Sequence, residues 1–476
     1  MLRSLLVFAA CLAFQAQALA YDAQVAAKTS AQAYELRGPN DGPTLVRRRI
    51  TQTLTLGAYG MLPRRLLGPT LDAQLMLRLD ADLGMEADET DPTKTRTFIP
   101  LLEDREVDLA YGWVDGRGFA NGWVDFRVGR QMLFDALGLY AFDGGLVRVV
   151  TPYFFLVEAY GGFETQGASP LGPSRWGRDG LQQDDTSKYA DPSVYPSVRP
   201  EHLAPVYGVA LASSGWFPLH SRGTYRETQA EGGLGERRVG WQGDYTPFDP
   251  WTVRGQVVYD LGLEVLSEAQ AGTEIRIVDP VVASADWVYY LPTFSMESIW
   301  NYFSVQPMND GRLGVRVRPT DALEIATTGW VRFFSDQGGG GGRGSFPATP
   351  ATAVSDTGGD VQARLRNQVG EATLRLSGAG GFGGDRMGAE AYVMKSFAND
   401  RWRAEVFPSV WYYQDDLREA AATPVRASAV SFSYVLGGLY RYSKEANLHL
   451  QYEHSINKIV GNRFRLLAIL DLSFWL

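Results

Sequence analysis

The chain ends RFRLLAILDLSFWL, Arg463 to Leu476, and this stretch alternates with period two up to the terminus. Successive side chains of a strand point to opposite faces, so Phe464, Leu466, Ala468, Leu470, Leu472, Phe474 and Leu476 form one unbroken apolar face. Arg465, Asp471 and Ser473 fall on the other. One face suits lipid and the other water, as in the closing strand of an outer-membrane β-barrel. A strand of a soluble sandwich shows the same stripe, so the rest of the chain must decide between them.

The opposite end favours the barrel. Met1 to Ala20 carries one charge, Arg3, an apolar run from Leu5 to Phe14, and Ala18-Leu19-Ala20 before Tyr21, which predicts a secretory signal over 1–20 cleaved after Ala20. Cys11 follows Phe8-Ala9-Ala10, but cleavage there would leave too short an apolar region for a lipoprotein signal. Once the signal is removed, no cysteine remains, so disulfides and thiolate metal sites are excluded. Beyond the signal nothing approaches the ~20 apolar residues of a spanning helix, which leaves strands as the only means of crossing a membrane. The slightly negative mean hydropathy is what alternating lipid-facing and water-facing residues produce. Abundant Gly, Tyr, Trp and Phe, and Arg in excess of Lys, suit the same fold. A net charge of −9 argues against nucleic acid as a partner.

Period-two segments recur from about residue 47 onward, among them RRITQTLTLGAYG, VDLAYGWVDG, WTVRGQVVYDL, GRLGVRVR and RWRAEVFPSVWYY. Each is near the ~9–11 residues a tilted strand needs to span. Tight links rich in turn residues fall at Thr151-Pro152, Thr246 to Pro250, Asp279-Pro280, Pro319 to Asp321, Asn367 to Gly370, Asn399-Asp400 and Ser443 to Glu445. Longer links run from Glu86 to Pro100, Gln166 to Ala204, Thr293 to Asp310, Ser335 to Thr357 and Gln414 to Arg426. Short periplasmic turns alternating with long external loops are the pattern of bacterial barrels. The segments number about twenty-one, an odd count that a bacterial single-chain barrel does not have, with the region Trp216 to Trp241 the least certain. The expected fold is therefore all-β, an antiparallel up-and-down transmembrane barrel of about eighteen strands, within sixteen to twenty-two. It would occupy 45–476 in the bacterial outer membrane, in contact with its lipid, with 21–44 a polar, Ala/Gln-rich periplasmic arm.

The polar faces of these segments collect Arg127, Arg254, Arg276, Arg316, Arg318, Arg364, Arg366, Arg375 and Arg403. Arginine facing lipid costs ~2–4 kcal/mol at the midplane, so these residues are expected to line the lumen. Asp125, Glu274, Asp286, Glu324, Glu390 and Glu405 share those faces. Two readings stand: a self-neutralising ladder that only solvates the wall, or a wall that carries an anionic solute or polymer. The aromatic residues Trp113, Trp216, Trp241, Trp251, Tyr289, Tyr290, Trp330, Trp402, Tyr412, Tyr413 and Trp475 read mainly as interface girdles. Trp123 and Trp411 fall by parity on polar faces, where they could stack on sugar rings. Of the long loops, Gln166 to Ala204 is the better candidate for a gate than the glycine run Gly338 to Gly344.

Catalysis finds no footing. The histidines His202, His220, His449 and His454 form no metal spacing. His449 and Glu453 share a strand face but would stand ~13 Å apart. No serine lies in a nucleophile elbow. No enzyme, cofactor or metal is expected.

The runs DFRVGRQ, Asp125 to Gln131, and DGGLVR, Asp143 to Arg148, resemble the strand-and-loop pattern of alginate-export-type porins, and are similar to outer-membrane channels of exopolysaccharide export. The resemblance covers about residues 105–165. It implies a passive exit conduit for a secreted polysaccharide, working with a periplasmic export partner. A small-solute porin passing a hydrophilic solute, or a barrel anchoring a trans-envelope complex of the motility type, are the alternatives. The terminal Leu476 departs from the usual terminal phenylalanine.

Overall fold

A computed structural model describes residues 22–37, 43–62, 68–82, 106–165, 182–184, 198–200, 204–213, 218–230, 233–293, 307–334, 354–368, 370–381, 384–417, 425–457 and 461–475. The signal segment, Leu476 and most of the long links lie outside them. The strands are β1 (Asp22–Arg37), β2 (Pro43–Tyr59), β3 (Thr70–Asp82), β4 (Glu106–Gly118), β5 (Val124–Asp135), β6 (Gly138–Val150) and β7 (Phe155–Glu164). A short parallel pair, β8 (Gln182–Asp184) and β9 (Val198–Pro200), stands apart from the main sheet. The sheet resumes with β10 (Pro205–Ser213), β11 (Leu219–Ala230), β12 (Gly233–Phe248), β13 (Trp251–Asp260), β14 (Val265–Val278), β15 (Val281–Tyr290) and β16 (Met308–Thr320). It continues through β17 (Leu323–Phe334), β18 (Val354–Asn367), β19 (Gly370–Gly381), β20 (Asp385–Phe397), β21 (Trp402–Leu417), β22 (Val425–Arg441), β23 (Ala446–Asn457) and β24 (Gly461–Trp475).

Every barrel strand pairs antiparallel with its neighbours, and β24 returns to β1, closing a 22-stranded barrel. The expected eighteen strands is too low. The twenty-one segments are all separate strands, β11 and β12 included, and the even count is completed by β1. Residues 22–37 are thus wall and not a periplasmic arm, with Val25 opposite Phe474 and Leu56, and Ala27 opposite Leu472 and Leu54. The outer face of β1 is Val25, Ala27, Thr29, Ala31 and Ala33. Small side chains give so little hydropathy contrast that the alternation is invisible in sequence, yet each backbone amide still needs a ladder partner at membrane depth.

Most of the tight links join consecutive strands at one end of the barrel, the end that also holds Asp22 and Trp475. The long links are at the other end. The turn end is therefore periplasmic and the loop end external. The face carrying Val157, Val209, Val239, Val257, Leu313, Val361, Leu374, Val393, Val430 and Leu466 is exposed to the surroundings of the barrel. A ring of strands closed at β1–β24 behind a largely apolar exterior is what a hydrocarbon environment demands, and this places the chain in the outer membrane. On β24 the outward residues are the Phe464 to Phe474 stripe, and Arg465, Asp471 and Ser473 face in.

One hairpin leaves the wall. The β4–β5 ladder runs only from Gly112↔Arg130 to Gly116↔Phe126, after which β5 continues with β6 alone. Gly129 turns the chain there at φ 125°, a left-handed value that a side chain would oppose, and an added Cβ would lie 2.2 Å from the Gly112 carbonyl oxygen. The bend carries the tip, Ala136-Leu137, into the lumen.

Candidate functional site

The inward hairpin is anchored to the inner wall of strands that are distant in sequence. Ala136 and Leu137 are buried with Val258 of β13, and Gly240 of β12 leaves the room they occupy. Gln256 donates to the Ala136 carbonyl, and Arg226 of β11 donates to that of Leu137. Behind the tip, Tyr140, Phe142 and Leu146 bury themselves against Tyr160 of β7 and Val206 of β10. The Arg226 guanidinium lies 4.3 Å from the Tyr140 ring centroid, a cation–π contact fully shielded from solvent. The result is an apolar, aromatic ledge inside an otherwise polar barrel. It is formed by β5–β6, and not by Gln166 to Ala204, most of which lies outside the described residues.

Ladder register puts all nine of the sequence-selected arginines on the face opposite the exposed apolar residues. Six are paired: Arg127 with Asp115, Arg254 with Asp286, Arg316 with Glu274 at 3.5 Å, Arg318 with Glu324, Arg375 with Asp360 at 3.3 Å, and Arg364 with Glu371 through two parallel hydrogen bonds of 2.9 and 2.8 Å. Arg276, Arg366 and Arg403 make no side-chain hydrogen bond or ion pair with the described residues, and all three sit near the periplasmic end of their strands. Arg276, Arg316 and Arg318 share a recess of about 320 Å³ with Glu274, Asp249 and Asp279.

Beside these one-to-one pairs the wall holds a second unit, in which one carboxylate lies between two arginines. Asp310, with no solvent exposure, accepts from Arg312 and Arg332 at 2.7 and 2.8 Å. Glu158 is held by Arg148 and Arg222, Asp115 by Arg117 and Arg127, Asp80 by Arg49 and Arg78, and Glu453 by Arg463 and Arg465. Each trio carries one more positive than negative charge, so a chain that is acidic overall has arginine-rich patches on its inner wall. Sequence reasoning missed Arg312, Arg332, Arg222 and Asp310 because a trio forms across rungs that only the register defines. The alternation of Arg312, Arg316 and Arg318 with apolar residues in GRLGVRVR was the available signal.

Trp411 faces inward and lies over Gly388, where an added Cβ would come within 2.4 Å of the indole. Trp123 is at the periplasmic turn after β4, half-exposed. Two girdle assignments are corrected. Trp330 lies inside, flat over Gly358 and under the Arg332 guanidinium, and Trp113 lies inside under Arg127. Glycine opposite an indole marks these sites because only a residue without Cβ admits the flat ring. His449 pairs with Glu405 at 2.8 Å, and Glu453 pairs elsewhere.

No family model and no curated protein matches the chain. Solved structures of similar shape include OccD3 (OpdP) of Pseudomonas aeruginosa, with 11% identity and a TM-score of 0.42 over 96% of this chain and 92% of that one. OccAB1 of Acinetobacter baumannii superposes with 8% identity and a TM-score of 0.44 over 96% and 97%. OpdK of Pseudomonas aeruginosa, solved with vanillate, gives 9% identity and 0.43 over 96% and 99%. The alginate-export resemblance gains no support: DFRVGRQ and DGGLVR here supply the Gly129 bend and the strands of the inward hairpin.

Proposed function

We propose that the chain is a passive outer-membrane channel for small hydrophilic solutes, with a preference for anions. The observation that carries this is the hairpin ledge set in a wide barrel whose inner wall holds several arginine–carboxylate–arginine trios beside one-to-one ion pairs. A 22-stranded barrel encloses more space than a small solute needs, and a ledge fixed to β11–β13 narrows it without a moving partner. Trios with one surplus positive charge favour anions over cations along the inner wall, and arginine presents a forked donor suited to carboxylates. The chain performs no chemistry in this reading.

Exit of a polysaccharide, expected from the resemblance, loses its ground with that resemblance, and a ledge across the lumen does not favour a continuous polymer. The test is the full chain reconstituted in planar bilayers under a salt gradient. Stepwise conductance with a reversal potential on the anion side is expected. Cation selectivity, or no conductance, would overturn the reading, as would loss of surface polysaccharide in a deletion strain that keeps normal small-solute uptake.

A further inference from the structure

The bend that sends β5–β6 inward also leaves a seam in the wall. Beyond Gly112↔Arg130, β4 continues through Tyr111 to Glu106, paired with β3 but with no rung to β5 among the described residues. Gly112 stands midway along β4, so the seam runs from mid-height toward the external end. An open strand edge at membrane depth persists only where it is covered by protein or lines water.

A second observation is independent of the ladder. Asp143 lies on the same strand face as the lipid-facing Val147, and across the rung from Phe163, which is also outward. Asp143 nonetheless carries a charge, paired in fork geometry with Arg130 at 2.8 and 2.8 Å. Arg130 also donates to the Leu109 carbonyl of β4 at 2.7 Å, supplying a donor where the ladder has stopped. A charged pair on the outward row at mid-height, with Asp143 44% exposed, is costly in hydrocarbon and stable beside water. The adjacent outward positions, Gly145 and Gly161, carry no side chain to close the approach.

We propose that this seam is a hydrated lateral window between lumen and outer leaflet, clasped by Arg130, and that it passes apolar-tailed amphiphiles whose heads travel in the lumen while their tails enter lipid. The inference rests on the reading of the chain as a channel and adds a sideways exit to its axial path. Gly145 offers the test, because a Cβ there meets nothing within 4 Å and its backbone is ordinary. The variant Gly145→Trp therefore sets an indole on the outward row, one outward position from the Arg130–Asp143 clasp at the foot of the seam, without touching the ledge.

A deletion strain expressing the full chain is assayed for entry of dodecanoate and, separately, of arabinose. Gly145→Trp is expected to cut dodecanoate entry at least about five-fold with arabinose entry unchanged; Gly161→Leu, on the same outward row, is expected to act in the same direction. Unchanged dodecanoate entry in both variants, with protein in the membrane at parental level, overturns the window. Amide exchange on the parent protein gives a second reading: within Glu106 to Tyr111 the amides that point away from β3 should exchange faster than those that donate to β3, and equal protection overturns the open edge. Loss of arabinose entry in the parent would instead count against the axial channel, so the two failures are distinguishable.

Discussion

Replacing Tyr140 by alanine tests whether the ledge is what limits the channel. Tyr140 is completely buried, and besides neighbours in its own hairpin such as Phe142 it contacts the wall the hairpin docks against. Its ring carries Arg226 at 4.3 Å and packs with the cluster that includes Tyr160 and Val206, and its hydroxyl is 3.4 Å from that of Thr228. Truncating a buried aromatic side chain costs about 3–5 kcal/mol, and the lost cation–π contact is part of that figure, at about 0.5–2 kcal/mol. Because these partners belong to β7, β10 and β11, most of the loss falls on docking of the hairpin and little on the barrel ladders. At about 3 kcal/mol the docked-to-free ratio falls by roughly 100-fold. Single-channel recordings of Tyr140→Ala should show larger conductance with more open-channel noise, while heat-resistant migration of the folded barrel stays near that of the parent. Tyr140→Phe, which keeps the ring under Arg226 and gives up the hydroxyl contact to Thr228, should stay much closer to the parent than Tyr140→Ala. A conductance and noise for Tyr140→Ala indistinguishable from the parent would refute the argument that the ledge narrows the passage.

Other variants probe the remaining elements. Gly129→Ala places a methyl group 2.2 Å from the Gly112 carbonyl oxygen in a left-handed backbone, and is expected to prevent the inward bend, read as poor barrel assembly or as a wide, unselective conductance. Glu371→Gln removes the forked partner of Arg364 beside Arg366, and the reversal potential should move further toward the anion side. Asp310→Asn leaves Arg312 and Arg332 without their shared charge, at a cost of about 3–5 kcal/mol seen as a lower unfolding temperature. Ala468→Arg, on the lipid side midway along β24, should cost about 2–4 kcal/mol in equilibrium unfolding from lipid.

Much of the wall was legible in the sequence because a strand's two faces are written two residues apart. The stripe Phe464 to Phe474 and the polar parity of Arg316, Arg318, Arg364 and Trp411 need no knowledge of any other strand. The alternation fails as a signal where the outward residues are small, which is how β1, with its row of Ala and Thr, escaped notice and left the segment count at an odd twenty-one. The inward hairpin was not legible at all. Its tip is held by contacts such as Arg226 to the Leu137 carbonyl, 89 residues apart, and Tyr140 to Thr228, 88 apart. Gly129 reads in sequence as one more glycine in a glycine-rich chain.

The sequence by itself determined a lipid-facing, water-facing barrel wall and the sign of the charges placed on each face. Only the tertiary structure decided which arginines share a carboxylate, which tryptophans lie flat on a facing glycine, and where the ladder breaks to let a hairpin enter the lumen. The physical reason is that alternation is a local property of one strand, whereas pairing of charges, close approach of rings to backbone, and closure at β1–β24 depend on register between strands, set cooperatively around the whole ring.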